Sequence, residues 1–191
     1  MHCKWLSEMF PYPDWNNFNC YENKLYQKFK NDIIEGRLIF LNKKINIRRE
    51  PFYKGKEEIF YHITCSSINH SDMEDRSPST DRMIRVPWIR DIIKNSPCQH
   101  NCCESKPIIW KELFRNGNYR YQIYFNRYLI VIEERENYCL LITAFYVEKE
   151  YYHKGLLKRY RKAENADNII SASSESPPTR GSWVIYIIPE T

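Results

Sequence analysis

Between residues 22 and 35 the apolar positions Leu25, Tyr26, Phe29, Ile33 and Ile34 recur at steps of three and four. That is the spacing of an amphipathic helix, and Gly36 stands where a C-terminal cap belongs. Residues 37–41 and 44–49, with Ile45 and Ile47 alternating against polar neighbours, flank Asn42-Lys43 as the two strands of a hairpin. Residues 57–64 read as a further extended stretch that delivers His62 near its end, and the polar residues 66–80 read as a loop. Pro87 can open a short helix through Ile93. After a cysteine-rich loop, residues 108–114 form a short aromatic segment of no definite type, and Asn116-Gly117 marks a turn. Residues 119–125 alternate aromatics as a strand does. The continuous apolar runs 128–132 and 139–147, joined by Glu133-Glu134-Arg135-Glu136-Asn137, read as two central strands and their hairpin loop.

Past Val147 the chain turns cationic, and Leu156, Leu157 and Tyr160 fit one face of a helix. The organisation expected is an aromatic arm over residues 1–21, an α+β domain over 22–163, a Ser/Pro-rich linker over 164–182 and a terminal strand over 183–191. The fold class is therefore α+β: an N-terminal helix, a mostly antiparallel twisted sheet, a basic C-terminal helix, and a tail strand docked on an open sheet edge.

Composition narrows the class of molecule. A chain of 191 residues, 42% hydrophobic, is long enough for one domain with its own core. Its 29 Lys and Arg against 24 Asp and Glu give a net charge of +5, a surplus that suits a polyanionic partner and is shared with many other proteins. No apolar run approaches the roughly 18 to 20 residues needed to span a bilayer, and the opening residues lack the apolar core of a signal peptide. Seven unevenly spaced cysteines then read as reduced thiols in a cytoplasmic protein. With five glycines and no phosphate-cradling glycine loop, a nucleotide-dependent enzyme is disfavoured.

Metal-free cleavage of RNA by its own 2′-hydroxyl needs a base, an acid and cations around the phosphorane. His62, with Thr64, Ser66 and Ser67 close by in sequence, together with Arg82, Arg127, Arg135 and Thr143, covers these roles by residue type. The same types also serve plain structural ends, a histidine bonded to backbone and a threonine that suits a strand. Lys154, Lys158, Arg159, Arg161 and Lys162, interleaved with Tyr151, Tyr152 and Tyr160, form the candidate contact surface for an RNA backbone, or else a solvated helix face. Cys98, His100, Cys102 and Cys103 could supply ligands to a structural zinc, although no second Cys/His pair of standard spacing follows.

The order Phe60-Tyr61-His62-Ile63-Thr64, Asp81-Arg82-Met83-Ile84-Arg85-Val86-Pro87-Trp88-Ile89-Arg90, Tyr128-Leu129-Ile130-Val131-Ile132-Glu133-Glu134-Arg135 and Tyr138-Cys139-Leu140-Leu141-Ile142-Thr143-Ala144-Phe145-Tyr146 resembles a phage-associated family of small nuclease-like proteins. That family is grouped with the barnase, EndoU, anticodon-cleaving colicin and RelE class of RNases, and the resemblance extends over residues 34–160. It implies a metal-independent ribonuclease acting on tRNA or mRNA in a toxin or phage-conflict system, opposed by an antitoxin or immunity protein, or a catalytically retired relative. It also implies His62 as general acid or base, Thr143 as the terminal-strand hydroxyl, and Arg135 or Arg82 as the phosphate-binding cation. A hairpin centred between Arg135 and Glu136 sets Tyr128 opposite Thr143 with Arg127 beside it, and leaves Arg135 well over about 10 Å away. Arg127 is thus a rival for the same role. The alternatives are a non-catalytic RNA- or protein-binding module on the same sheet, and a zinc-stabilised accessory protein built around Cys98 to Cys103.

Overall fold

The computed structural model describes residues 5–67, 76–96, 107–114 and 117–173, with side chains as far as residue 165. Helix α1 (Phe18–Phe29) buries Tyr21, Leu25 and Phe29 and runs on through a π-helical turn at Lys30–Ile34. It follows a 3-10 turn, Trp15–Asn17, whose start is capped by the Asp14 carboxylate accepting from the Asn16 N–H at 3.1 Å. The helix therefore begins ahead of residue 22, and the arm is shorter than expected. That arm lies on the domain itself: the Phe10 N–H donates to the Ile84 carbonyl at 2.7 Å, the Trp88 indole donates to the Ser7 carbonyl at 3.1 Å, and Leu6 is buried. Gly36 is not a left-handed cap, because the positive φ belongs to Arg37 (47°). Glycine is required there by close approach, since a Cβ would sit 2.0 Å from the Asp32 carbonyl oxygen.

Strands β1 (Ile39–Phe40) and β2 (Lys43–Ile47) form the expected hairpin, turning through Leu41 and Asn42, both at positive φ (53° and 58°) as a type I′ turn requires. A short ribbon of β3 (Phe52–Tyr53) and β4 (Lys56–Glu57) leads into α2 (Glu58–Thr64). Residues 57–64 are thus mostly helical, not extended. Their β-branched and aromatic content suits a strand locally, but Ile59, Phe60 and Ile63 fall on one helical face and are buried, and that packing outweighs the propensity. β5 (Cys65–Ser67) pairs with β6 (Arg76–Pro78), followed by α3 (Thr80–Met83) and α4 (Val86–Lys94), with Pro87 in the first turn as expected.

Then come β7 (Ile108–Leu113), β8 (Tyr119–Phe125), β9 (Tyr128–Glu134), β10 (Cys139–Tyr146) and α5 (Glu150–Ser173). The main sheet has the order β1-β2-β10-β9-β8-β7, antiparallel except where β2 runs parallel to β10. One face carries α1, α2 and α4 over a core that includes Phe29, Phe60, Ile89, Ile123, Ile130, Leu141 and Ala144. The other carries α5, whose Leu156 joins Trp110, Tyr124, Leu129 and Val131. Register in the β9–β10 hairpin jumps from Leu141 opposite Ile132 to Thr143 opposite Val131, leaving Ile142 as a bulge. Tyr128 faces Tyr146, not Thr143, because the hairpin centres between Glu136 and Asn137 and the bulge adds one more residue.

α5 passes through the boundary expected at 163 and continues to Ser173, because residues 164–170 contain neither Pro nor Gly to stop it. The strand expected over 183–191 lies outside the described residues, as do Cys98, His100, Cys102 and Cys103. Among the described residues no His, Cys, Asp and Glu cluster is placed to hold a metal ion, and no helix is long and apolar enough to cross a membrane.

Candidate functional site

The site begins where β2 leaves the sheet. β2 pairs with β10 over Cys139, Leu140 and Leu141 only, after which the chain departs as Arg48 and α2 occupies the space beside β10. A cleft of about 270 Å³ opens at this junction, lined by Arg48, Glu58, Ile59, His62 and Arg76 over a floor of Leu140, Leu141 and the bulged Ile142. Glu58 and His62 stand four residues apart on α2, which sets them on one helical face, and burial of Phe60, Tyr61, Ile63 and Thr64 turns His62 outward. β6 contributes Arg76, whose guanidinium meets the Glu58 carboxylate at 2.8 Å. A carboxylate, an imidazole and two guanidinium groups thus share one concave surface.

Arg82 approaches from behind. Its guanidinium donates to the His62 carbonyl at 3.2 Å and lies 5.0 Å from the centre of the Phe145 ring, and burial draws its pKa below the usual arginine value. It braces the C-terminal end of α2, where carbonyls lack helical partners, and does not line the cleft. Arg85 packs between the rings of Trp88 (5.5 Å) and Tyr146 (4.0 Å) and pairs with Asp81 at 2.7 Å. Beneath these arginines Tyr128 is fully buried with an unbonded hydroxyl; burial pushes its pKa up, and the positive charges of Arg82 and Arg85 oppose that shift.

The other expected residues are dispersed. Thr143 stands one position past Ile142 and does not line the cleft. Arg127 pairs with Glu150 and donates to the Val147 and Glu148 carbonyls, both at 3.4 Å, where the chain enters α5. Arg135 pairs with the buried Glu133, which also accepts from Arg120 at 2.7 Å and Asn118 at 3.3 Å. Since Thr143 faces Val131, four positions from either arginine, each lies about 13 Å away along the ribbon. Both are ion-paired, and neither lines the cleft.

Lys154, Lys158, Arg159, Arg161 and Lys162 are exposed on α5, with Arg159 reaching Glu112 at 3.4 Å. The His153 ring shares a 2.7 Å hydrogen bond with the Tyr124 hydroxyl. α5 packs against β7 and also reaches β10, where Tyr152 stacks on Phe145 at 6.1 Å, but none of its cationic residues lines the cleft. Arg48, Glu58 and Arg76 are the residues that sequence reasoning missed. The signal for Glu58 is its four-residue spacing from His62, which appears only once residues 58–64 are a helix. No family model, no curated protein and no solved structure matches this chain.

Proposed function

We propose that the protein is a metal-independent ribonuclease that cleaves RNA by internal transesterification in the His62 cleft. The observation that carries this reading is the convergence of Glu58, His62, Arg48 and Arg76 on one concave surface. In this scheme the Glu58 carboxylate takes the proton of the 2′-hydroxyl, whose oxygen attacks the adjacent phosphorus. The bond from phosphorus to the 5′-oxygen breaks, and protonated His62 donates to the departing oxygen, leaving a 2′,3′-cyclic phosphate. Arg48 and Arg76 neutralise charge on the phosphorane oxygens, where guanidinium groups bind in bidentate fashion. These side chains supply every role without a Lewis acid. Arg82 acts through position, by holding the peptide of His62.

An N-terminal helix packed on a mostly antiparallel sheet accords with the barnase, EndoU, colicin and RelE class, and with it a cytoplasmic toxin or phage-conflict role acting on tRNA or mRNA and held in check by an antitoxin or immunity protein. The reassigned cations depart from the roles that resemblance implies for Thr143 and Arg135. A second reading, a binding module that holds RNA without cutting it, draws on the Glu58–Arg76 ion pair, in which the base is already engaged. The test is incubation with single-stranded RNA in excess EDTA, followed by analysis of the ends. Cyclic phosphate from the wild type and none from His62→Ala supports the enzyme. RNA bound but left intact supports the module, and loss of cleavage on chelation that magnesium restores counts against the metal-free mechanism.

A further inference from the structure

A second concavity of about 410 Å³ lies along β2 and shares Arg48 and Leu140 with the His62 cleft, so the two adjoin. Its volume falls within the range of about 300 to 1,000 Å³ typical of small-ligand sites. Lys44, Arg48 and Arg49 rim it, Ile34 and Leu140 contribute apolar surface, Tyr138 stands at one wall, and none of its lining residues is acidic. On its outer side β2 is bonded only as far as Ile45, whose N–H donates to the Leu38 carbonyl at 2.8 Å, which leaves the sheet edge open beyond that point among the described residues. Cations track a phosphate backbone, an exposed aromatic ring stacks on any base face, and such a ring is reachable only by a base that is not already stacked in a duplex.

We infer that this groove is the subsite for the nucleotide flanking the scissile phosphate, and that the substrate class is single-stranded RNA, with the base stacked on Tyr138 and its phosphates held by Lys44 and Arg49. The inference rests on the ribonuclease reading for the identity of the scissile phosphate, while the binding it describes can be measured without cleavage. Arg48, common to both concavities, spans the two successive phosphates. An acidic peptide would satisfy the cations but leave the ring and the apolar floor without a role.

The experiment uses a fluorescent 2′-O-methyl RNA strand, which cannot be cleaved through its 2′-oxygen, and follows its binding to the full chain by anisotropy. Tyr138→Ala should weaken binding by about tenfold to a hundredfold, the range for loss of one base stack. Tyr138→Phe should bind as the wild type does, with circular dichroism confirming that both variants are folded. Lys44→Gln and Arg49→Gln should each lower the salt slope by about 0.7, the value for one single-strand phosphate contact. Unchanged binding in Tyr138→Ala overturns the inference, as does a pre-annealed duplex that binds as tightly as the single strand, or polyglutamate that competes as well as RNA. Tyr138-dependent binding of the uncleavable strand, with natural RNA left intact, supports the groove and overturns only the cleavage reading. Cleavage of natural RNA with an unchanged KM in Tyr138→Ala does the reverse.

Discussion

Two cationic surfaces, one along α5 and one at the β2–β10 junction, differ in what their cations face. On α5 the charges of Lys154, Lys158, Arg161 and Lys162 point from a convex helix into solvent, where water and salt screen them. At the β2–β10 junction, Arg48 and Arg76 converge on a cleft that also holds His62 and Glu58. The helix carries more positive charge, but the cleft concentrates a smaller charge where a single phosphate can meet several groups at once. Such geometry favours stabilising a reacting centre, whereas a solvated cationic face favours long-range attraction of a polyanion. Arg127 and Arg135 form a third class: they pair with Glu150 and Glu133 and, unlike Arg76 with its Glu58, do not line the cleft.

The sharpest way to break this comparison is His62→Ala. Single-turnover cleavage should fall by about 10² to 10⁴ with the far-ultraviolet spectrum unchanged, since general acid–base catalysis contributes on that order and the side chain is exposed. Next is Arg120→Ala, which leaves Glu133, 1% exposed, without one of its cationic partners. Urea unfolding should register a loss of about 1 to 3 kcal/mol, the range for a hydrogen bond to a charged group, since Arg135 still pairs with Glu133, while the cleavage rate per folded molecule stays within twofold. A large rate defect with intact stability would move this cluster into the site.

Alkaline titration measures the core alone. Burial pushes the Cys139 thiol up to about 11, and burial pushes the Tyr21 hydroxyl up to about 12. Both groups hold their protons more tightly when folded, so their contribution to stability is complete below the ordinary values of 9.0 and 10.0 and is lost as pH rises through the folded ones. Thermal midpoints should therefore decline steadily from about pH 9 upward. The smallest effect belongs to α5. Neutralising Lys154, Lys158, Arg161 and Lys162 together should slow RNA association at low salt and leave the rate of the bound complex unchanged, measured by stopped-flow fluorescence. An equal loss in the chemical step would erase the distinction between the two surfaces.

Much of the frame was legible from pattern alone. The helix opened by Pro87, the hairpin after Gly36 and the strands around residues 119–147 carry periodicity or turn residues strong enough to survive tertiary packing. α2 was not legible, because seven residues rich in isoleucine and aromatics satisfy strand and helix equally until the surface beneath them is known. That one segment hid the cleft, since Glu58 and His62 share a face only on a helix. Arg48 and Arg76 were hidden for a different reason: they come from separate strands whose meeting depends on where β2 leaves β10, a property of topology that local sequence does not encode. Arg127 and Arg135 looked like candidates because residue type reveals a charge but not its partner.

The bulge in β10 separates two kinds of necessity. Leu141 and Ala144 both belong to the main core although they stand three residues apart, an odd interval that an unbroken ladder would send to opposite faces. Take Ile142 away and the interval becomes even: Leu141 still meets Ile132, Thr143 still meets Val131, and every downstream side chain keeps its face. The ladder is complete without this residue, whereas the floor of the cleft is not. Ile142 is surplus to the ladder but not to the molecule: it packs against the core of Trp110, Leu129 and Leu156 and floors the cleft with Leu140 and Leu141, so one extra residue ties the second core to that surface.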